Sequence, residues 1–338
     1  MKKHDVTALG ELLIDFTTDG TLSNQGNKLF EANPGGAPCN VLAMLQKLGR
    51  HTAFIGKVGN DSFGKMLKVT LLEAGINTDN LLMDNNVPTT LAFIHTAPDG
   101  DRSFSFYRDP GADMMLRPEE INTELIKNSK IFHFGTLSMT DPGVEAATKM
   151  AIEAAKEAGA IISFDPNLRP PLWKCLDTAK EKIRYGLSVC DVLKISDEEI
   201  AFLTGIEDVD AGIELIRRQY DIPLICATMG KNGSKAYYKN IAVSRETFLD
   251  VNTIETTGAG DTFMACVLNA VLENGLDGFD EQKLYTMLTF ANAASSIITT
   301  RRGALKVMPE KTEVLDFLVK FTEILNESLT ISKFKSKF

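Results

Sequence analysis

Through the middle of the chain, apolar and polar residues alternate between two rhythms. Short runs such as Lys130–Phe134 (KIFHF) and Ala160–Phe164 (AIISF) suit strands covered on both faces. Between them, Val144, Ala147, Ala151, Ala154 and Ala158 recur at three- and four-residue intervals, so the spacing predicts a helix with one apolar stripe. Pro142 is placed to open that helix and Gly159 to end it. A strand, a helix and a strand in this order form a β-α-β unit, which implies parallel strands and a right-handed crossover. Val189–Ile195 and Leu224–Thr228 repeat the strand pattern, each after a helical stretch. The expected fold is α/β: helices layered on a mostly parallel sheet.

Two regions break the rhythm. Residues 16–33 lack helical periodicity and carry the turn formers Asp19, Gly20, Asn24, Gly26 and Asn27. Further on, Thr89–Thr96 and Ser103–Arg108 flank Pro98–Asp101 (PDGD), a hairpin turn signal. Together they predict a small separate β-layer inserted into the main domain, placed as a lid over a cleft. The last residues, SKFKSKF, read as a frayed tail.

Composition narrows the function classes. The chain has 338 residues, 44% hydrophobic and 24% charged, which suits a globular protein with a large core. Thirty-six basic residues against forty-five acidic ones give a net charge of −9, so nothing here draws the chain to nucleic acid or to an anionic membrane. The five cysteines show no C-x-x-C spacing, and the four histidines no metal-ligand spacing. Buried, reduced thiols are expected. The first residues have no signal-peptide pattern, and no run approaches a membrane span, so a cytoplasmic setting is expected.

The strongest chemical signal is Glu255–Phe263 (ETTGAGDTF), followed by a helical run to about Asn274. Small residues at a helix start let backbone N–H groups approach an anion, and the helix dipole adds to the attraction. An aspartate there would repel phosphate. Asp261 makes sense as the base that removes a hydroxyl proton while the adjacent amides stabilise a moving phosphoryl group. A plain preference of aspartate for helix starts accounts for it equally well on local grounds.

A second cluster, Asn33–Asn40 (NPGGAPCN), leads into a helix with Val41, Leu42, Leu45 and Leu48 on one face. Asn40 could offer its amide to sugar hydroxyls, although locally an ordinary loop-to-helix turn explains the stretch better. The segments Asp165–Trp173, Lys194–Glu199 and Thr228–Gly233 each begin where an expected strand ends, the edge at which open α/β sheets bind ligands. Singly each could be a cap or turn; Ser196 before Glu199 is a capping box. By contrast, Gly59–Met66 nearly matches the P-loop pattern but has Met66 in place of the magnesium-binding hydroxyl and a bulky Phe63. It is read as a structural turn, with Asp61 or Ser62 capping a helix through Leu72.

With these stretches in order, the chain resembles the ribokinase-like (PfkB-type) sugar kinases, and within them the fructokinases. The resemblance rests on PGGAPCN and TTGAGDTF, and on Phe106–Leu116 (FYRDPGADMML), Phe132–Gly135 (FHFG) and Phe164–Trp173 (FDPNLRPPLW). It implies a three-layer α/β/α kinase domain over residues 1–325, with 16–34 and 89–108 as lid strands and 326–338 as a tail. It also implies ATP- and Mg2+-dependent phosphorylation of a sugar hydroxyl, turning fructose into fructose 6-phosphate.

In such enzymes the residue matching Asp261 is the base, and the amides of Gly258, Ala259 and Gly260 form the anion hole. Asp15, Gly35, Gly36 and Asn40 match sugar-binding positions, joined by Arg108 and Arg169. Asn167, Lys194, Thr228, Gly230, Gly233 and Asn292 fall where the family binds ATP, and Glu199 is the match to the glutamate linked indirectly to magnesium. Glu255 and Thr257 match a monovalent-cation position, commonly filled by potassium. There the family usually has aspartate, and the extra methylene of Glu255 shifts the carboxylate. The resemblance allows a homodimer through the lid.

Two rival readings keep parts of this picture. Kinases for 2-keto-3-deoxygluconate share the D-x-N-x-R element, and Arg108 and Arg169 could hold a substrate carboxylate. A catalytically silent relative would tend to lose the base or the glycines, which are intact here. A dinucleotide-dependent dehydrogenase lacks its G-x-G-x-x-G after the first strand.

Overall fold

The computed structural model describes residues 2–18, 20–96, 102–249 and 251–321. The chain opens with β1 (His4–Leu9), β2 (Leu13–Thr17) and β3 (Glu31–Gly35), followed by α1 (Ala37–Lys47), β4 (Thr52–Gly59), α2 (Ser62–Glu73) and β5 (Asn77–Asp84). Next come β6 (Leu91–Thr96), β7 (Arg102–Tyr107) and the short α3 (Thr123–Lys127). A regular series follows: β8 (Ser129–Gly135), α4 (Pro142–Glu157), β9 (Ile161–Asp165), α5 (Leu176–Val189), β10 (Val192–Ser196), α6 (Asp197–Thr204), α7 (Val209–Gln219) and β11 (Leu224–Thr228). The antiparallel pair β12 (Ser234–Tyr238) and β13 (Ile241–Arg245) then leads to α8 (Ala259–Asn274) and α9 (Glu281–Ile298).

Among the described residues, nine strands form one sheet in the order β13-β12-β11-β10-β9-β8-β1-β4-β5. Every neighbouring pair from β11 to β5 is parallel. Its strands are apolar on both faces because both faces are covered. Phe54, Val192 and Cys226 pack on the side of α1, α2, α8 and α9, while their neighbours Ile55, Leu193 and Ala227 pack on the side of α4 to α7. This two-sided burial makes three layers, α/β/α, as expected.

Helix α4 shows why its sequence folds as it does. Asp141 caps it by accepting from Gly143 N, Pro142 occupies the first turn, and Val144, Ala147, Ala151 and Ala154 are buried. Gly159 follows at φ 62°, in the left-handed region that ends the helix. The strand expected over Val189–Ile195 starts later, at Val192, because Val189 is the last residue of α5. A valine suits a half-buried helix end as well as a strand, so the apolar run concealed the boundary.

The expected second β-layer is a four-stranded sheet in the order β3-β2-β6-β7. β2 pairs with β3 antiparallel and with β6 parallel, and β6 pairs with β7 antiparallel. The sheet starts earlier than residue 16, at Leu13, and runs through Gly35. Among the described residues of 18–30, the one isolated bridge is Leu22–Lys28. Phe16 joins this sheet to the main body, stacking on Phe93 at 4.7 Å and meeting Phe63 of α2 edge-on at 5.7 Å. The Pro98–Asp101 turn, Asp19 and the 326–338 tail lie outside the described residues.

Four of the five cysteines are buried free thiols; Cys175 departs from the expectation because it is exposed at the start of α5. No described helix is long and apolar enough to cross a membrane.

Candidate active site

The site grows from two helix starts whose cap residues are glycines with no side chain to give, facing the carboxyl ends of β1, β9 and β10. α1 begins on Gly36 and α8 on Gly258. Gly36 sits at φ 125°, and a Cβ there would lie 2.4 Å from the Glu11 carbonyl oxygen, so only glycine lets the chain turn so close to β1. Gly258 sits at φ 78°, and a Cβ there would be 2.7 Å from the Ala304 Cβ. Without a capping side chain, the first-turn donors of α8 keep the partial positive charge of a helix start. Of these, the Ala259 N–H leans toward the Thr256 carbonyl at 3.2 Å.

Asp261 lies in the first turn of α8 and is buried. Its Oδ2 accepts from Asn40 Nδ2 at 2.8 Å, which joins α8 to α1. Burial pushes the Asp261 carboxyl above its ordinary range, against the Asn40 hydrogen bond and the positive charges of Lys194 and Arg169. Asp15, on β2, belongs to the same group. Its carboxyl is pushed up to about 7, first by burial and then by the charges of Glu255 and Asp261, while Arg169 pulls it down. Gly35 backs directly onto it, since a Cβ at Gly35 would be 2.3 Å from Asp15 Oδ2.

Lys194, near the end of β10, is buried and bridges to Asp165 at 3.1 Å. Its Nζ lies 3.1 Å from where a Gly260 Cβ would stand, so the ammonium reaches the first turn of α8. Burial alone would lower its pKa, but Asp165 and Glu199 more than reverse this, so the ammonium stays charged. Asn167 is held at φ 45° by a bond from its N–H to Asp165 Oδ1.

Both carboxylate oxygens of Glu199 accept backbone donors, Leu168 N and Ser196 N, each at 2.8 Å. Glu255 is buried and similarly engaged: the Thr257 hydroxyl donates to Oε1, and Gly303 N donates to Oε2 at 3.2 Å. Among the described residues, no three His, Cys, Asp or Glu side chains are grouped so as to hold a metal ion.

A neighbouring group forms at the end of β11. Thr228 pairs with Ser196 across the sheet, and the turn Gly230–Asn232 leads to Gly233 at φ 88°. Asn292 of α9 ties this turn down, accepting from Ser234 Oγ at 2.9 Å and donating to the carbonyls of Arg245 and Glu246 at 3.1 Å. Three residues on, Ser295 donates to the Ala259 carbonyl at 3.0 Å, linking this group to α8.

Arg108, matched to a sugar-binding position, is held inside the protein. It is buried, paired with Asp113 at 2.7 Å, and donates to Thr140 Oγ1 and the Leu137 carbonyl at 2.9 Å. Arg169 is more open and, among the described residues, donates to its neighbour's carbonyl at 3.4 Å.

Two carboxylates were not singled out from the sequence. Asp165 pairs with Lys194, and burial pushes its carboxyl up against that lysine's pull. Glu11 accepts from Ala37 N at 2.9 Å, and burial pushes it up to about 7. Both line a small cleft with Pro38, His133 and Asn167. The available signal was position, since each stands just beyond or at the end of a parallel strand.

Comparison with known proteins agrees with this geometry. The model of the pfkB family of carbohydrate kinases matches residues 3–311. The chain is 40% identical over 314 residues to a protein of Arabidopsis thaliana named probable fructokinase-2, covering 93% of this chain and 95% of the relative. The structure of a Xylella fastidiosa fructokinase with bound ATP superposes with a TM-score of 0.86 at 33% identity, covering 95% of this chain and all of the other. A Vibrio cholerae fructokinase bound to fructose, ADP and calcium gives a TM-score of 0.84 at 29% identity, covering 94% of this chain and 100% of the other.

Proposed function

The chain belongs to the pfkB family of carbohydrate kinases, and from that premise we propose that it phosphorylates D-fructose with ATP, giving D-fructose 6-phosphate and ADP. The observation that carries the reading is Asp261. It is a buried carboxylate in the first turn of a helix whose cap is a glycine, and burial holds its pKa above the ordinary carboxylate value.

In this reading the sugar hydroxyl gives its proton to Asp261 as its oxygen attacks the terminal phosphorus, and the bond from that phosphorus to the ADP oxygen breaks. The amides of Gly258, Ala259 and Gly260 hold the charge dispersed over the transferring group, the Ala259 N–H giving up its contact with Thr256. Positioning and such donors supply most of the catalysis in phosphoryl transfer. Asp15, Gly35, Gly36, Asn40 and Arg169 line the sugar side. Asn167, Lys194, Thr228, Gly230, Gly233 and Asn292 line the ATP side.

Magnesium, when bound, neutralises phosphate charge. Glu199, with both oxygens on backbone donors, would reach it through water, and Glu255 with Thr257 would border a monovalent cation such as potassium. We take residues 1–325 as one kinase unit, with strands in 16–34 and 89–108 as a lid that excludes water. A homodimer through that sheet is supported by its exposed apolar side chains, including Leu22, Leu29 and Tyr107. Four buried free thiols fit a cytoplasmic setting.

Arg108 favours fructose over a keto acid, because Asp113 already neutralises its guanidinium and leaves little for a substrate carboxylate. The test is ADP release with magnesium and ATP, run across fructose, glucose, ribose, adenosine and 2-keto-3-deoxygluconate. Turnover concentrated on fructose is expected. A preference for the keto acid would overturn the choice of sugar, and silence on all five from folded, ATP-binding protein would overturn the reaction.

A further inference from the structure

Asn40 does something at this site that sugar binding alone does not require. Its side chain is buried at 3% exposure, and its Nδ2 is spent on Asp261 Oδ2 at 2.8 Å. Its Oδ1 is buried with no partner among the described residues. The orientation of the amide is fixed by chemistry: turned over, Oδ1 would face a carboxylate oxygen and both groups would lose. One end of the amide therefore faces the base, and the other end is an acceptor waiting for a donor. A buried acceptor left unpaired costs stability, so its retention points to a ligand hydroxyl beside the one that reacts.

We propose that Asn40 is the positioning residue of the base. Its Nδ2–H holds Oδ2 of Asp261 in the ionised state, leaves Oδ1 of Asp261 to take the proton, and directs its own Oδ1 at a second hydroxyl of the same sugar. This rests on the kinase reading above and deepens it. The groups facing Asp261 divide in sign. Lys194 from β10 and Arg169 from the segment after β9 favour its charge. Asp15 from β2 and Asp165 from β9 oppose it, since the charge of Asp261 in turn raises both. Asn40 from α1 is the neutral donor among them, and the one that touches the carboxylate.

Without that donor, Asp261 binds its proton more tightly and is idle at a higher pH. The test is the pH dependence of kcat and of kcat/KM for fructose in Asn40→Ala and in the volume-conserving Asn40→Leu, with melting temperature and ATP affinity as controls of folding. The acid limb should move up by about one pH unit in both variants, the shift expected for loss of one charge-assisted hydrogen bond. KM for fructose should rise as well.

A raised KM with the acid limb unmoved in both variants would overturn the proposal and leave Asn40 a sugar contact only. A second readout is independent of turnover: carbon-13 titration of the Asp261 carboxyl, assigned by its disappearance in Asp261→Asn. An upward shift of that titration in Asn40→Ala supports the proposal even if the wild type turns over no fructose, and an unchanged titration sinks it even if fructose is the substrate.

Discussion

The turns at Gly59–Met66 and Glu255–Phe263 resemble each other on paper, since each brings glycines to a helix start and an aspartate into or beside its first turn. At α2 the aspartate is the cap itself. Asp61 Oδ1 accepts from Gly64 N and from the Thr89 hydroxyl, and Oδ2 accepts from Thr89 N, all at 2.8 Å. These bonds outweigh burial and hold its carboxyl below the usual range. At α8 the cap is Gly258, which has no side chain to give, and Asp261 stands three residues further in. There burial wins and the carboxyl is raised. One aspartate has used up its helix end and is too weak a base to take a proton; the other leaves the helix end open and holds its proton more readily. Glycine content does not separate the two turns. The place of the aspartate relative to the cap does.

Substitutions at the two turns should have opposite effects. The largest effect on folding is expected at Gly64, where a Cβ would lie 1.9 Å from the Gly59 carbonyl oxygen. Gly64→Ala should cost about 3 kcal/mol of stability in denaturant unfolding, with turnover per folded molecule unchanged. Gly258→Ala should act in the opposite way. The strained φ and the Ala304 contact would tilt the first turn of α8, and kcat should fall about 100-fold, the scale of losing one aimed donor. A kcat within twofold of wild type would remove α8 from the mechanism.

A smaller effect concerns pH. The folded Glu11 carboxyl stands at about 7 against an ordinary 4.5, so its stability contribution is complete below about pH 4.5 and is lost as pH rises through 7. Glu11→Gln should therefore gain stability relative to wild type as pH climbs over that window. Melting curves at pH 4.5, 6 and 7.5 would show it, and a constant difference between the two proteins would contradict the buried, raised carboxyl.

Much of this molecule was legible in the sequence, and the rest was hidden for identifiable reasons. The stripe from Val144 to Ala154 predicted α4 because one helix face is buried along its whole length. Runs such as Leu224–Thr228 predicted strands because both sheet faces are covered. The α8 turn and its aspartate stood out by residue type. What the sequence pattern could not carry was which distant side chains meet. Lys194 finds Asp165 across 29 positions and Asn40 finds Asp261 across 221, and neither pairing leaves a local pattern. Arg108 was legible as a charge, but its neutralisation by Asp113 depends on both side chains being buried. Glu11 and Asp165 were plain acidic residues until the parallel strands brought their ends together.

The two aspartates differ in kind, and a matched pair of isosteric variants separates them. Turnover with fructose, magnesium and ATP would be measured for Asp261→Asn and Asp61→Asn, beside ATP affinity by calorimetry. Asp261→Asn should lose about 1,000-fold in kcat while still binding ATP, as expected for removal of a general base. Asp61→Asn should keep kcat and lose only stability. Unchanged turnover in Asp261→Asn would show that Asp261 is not the base.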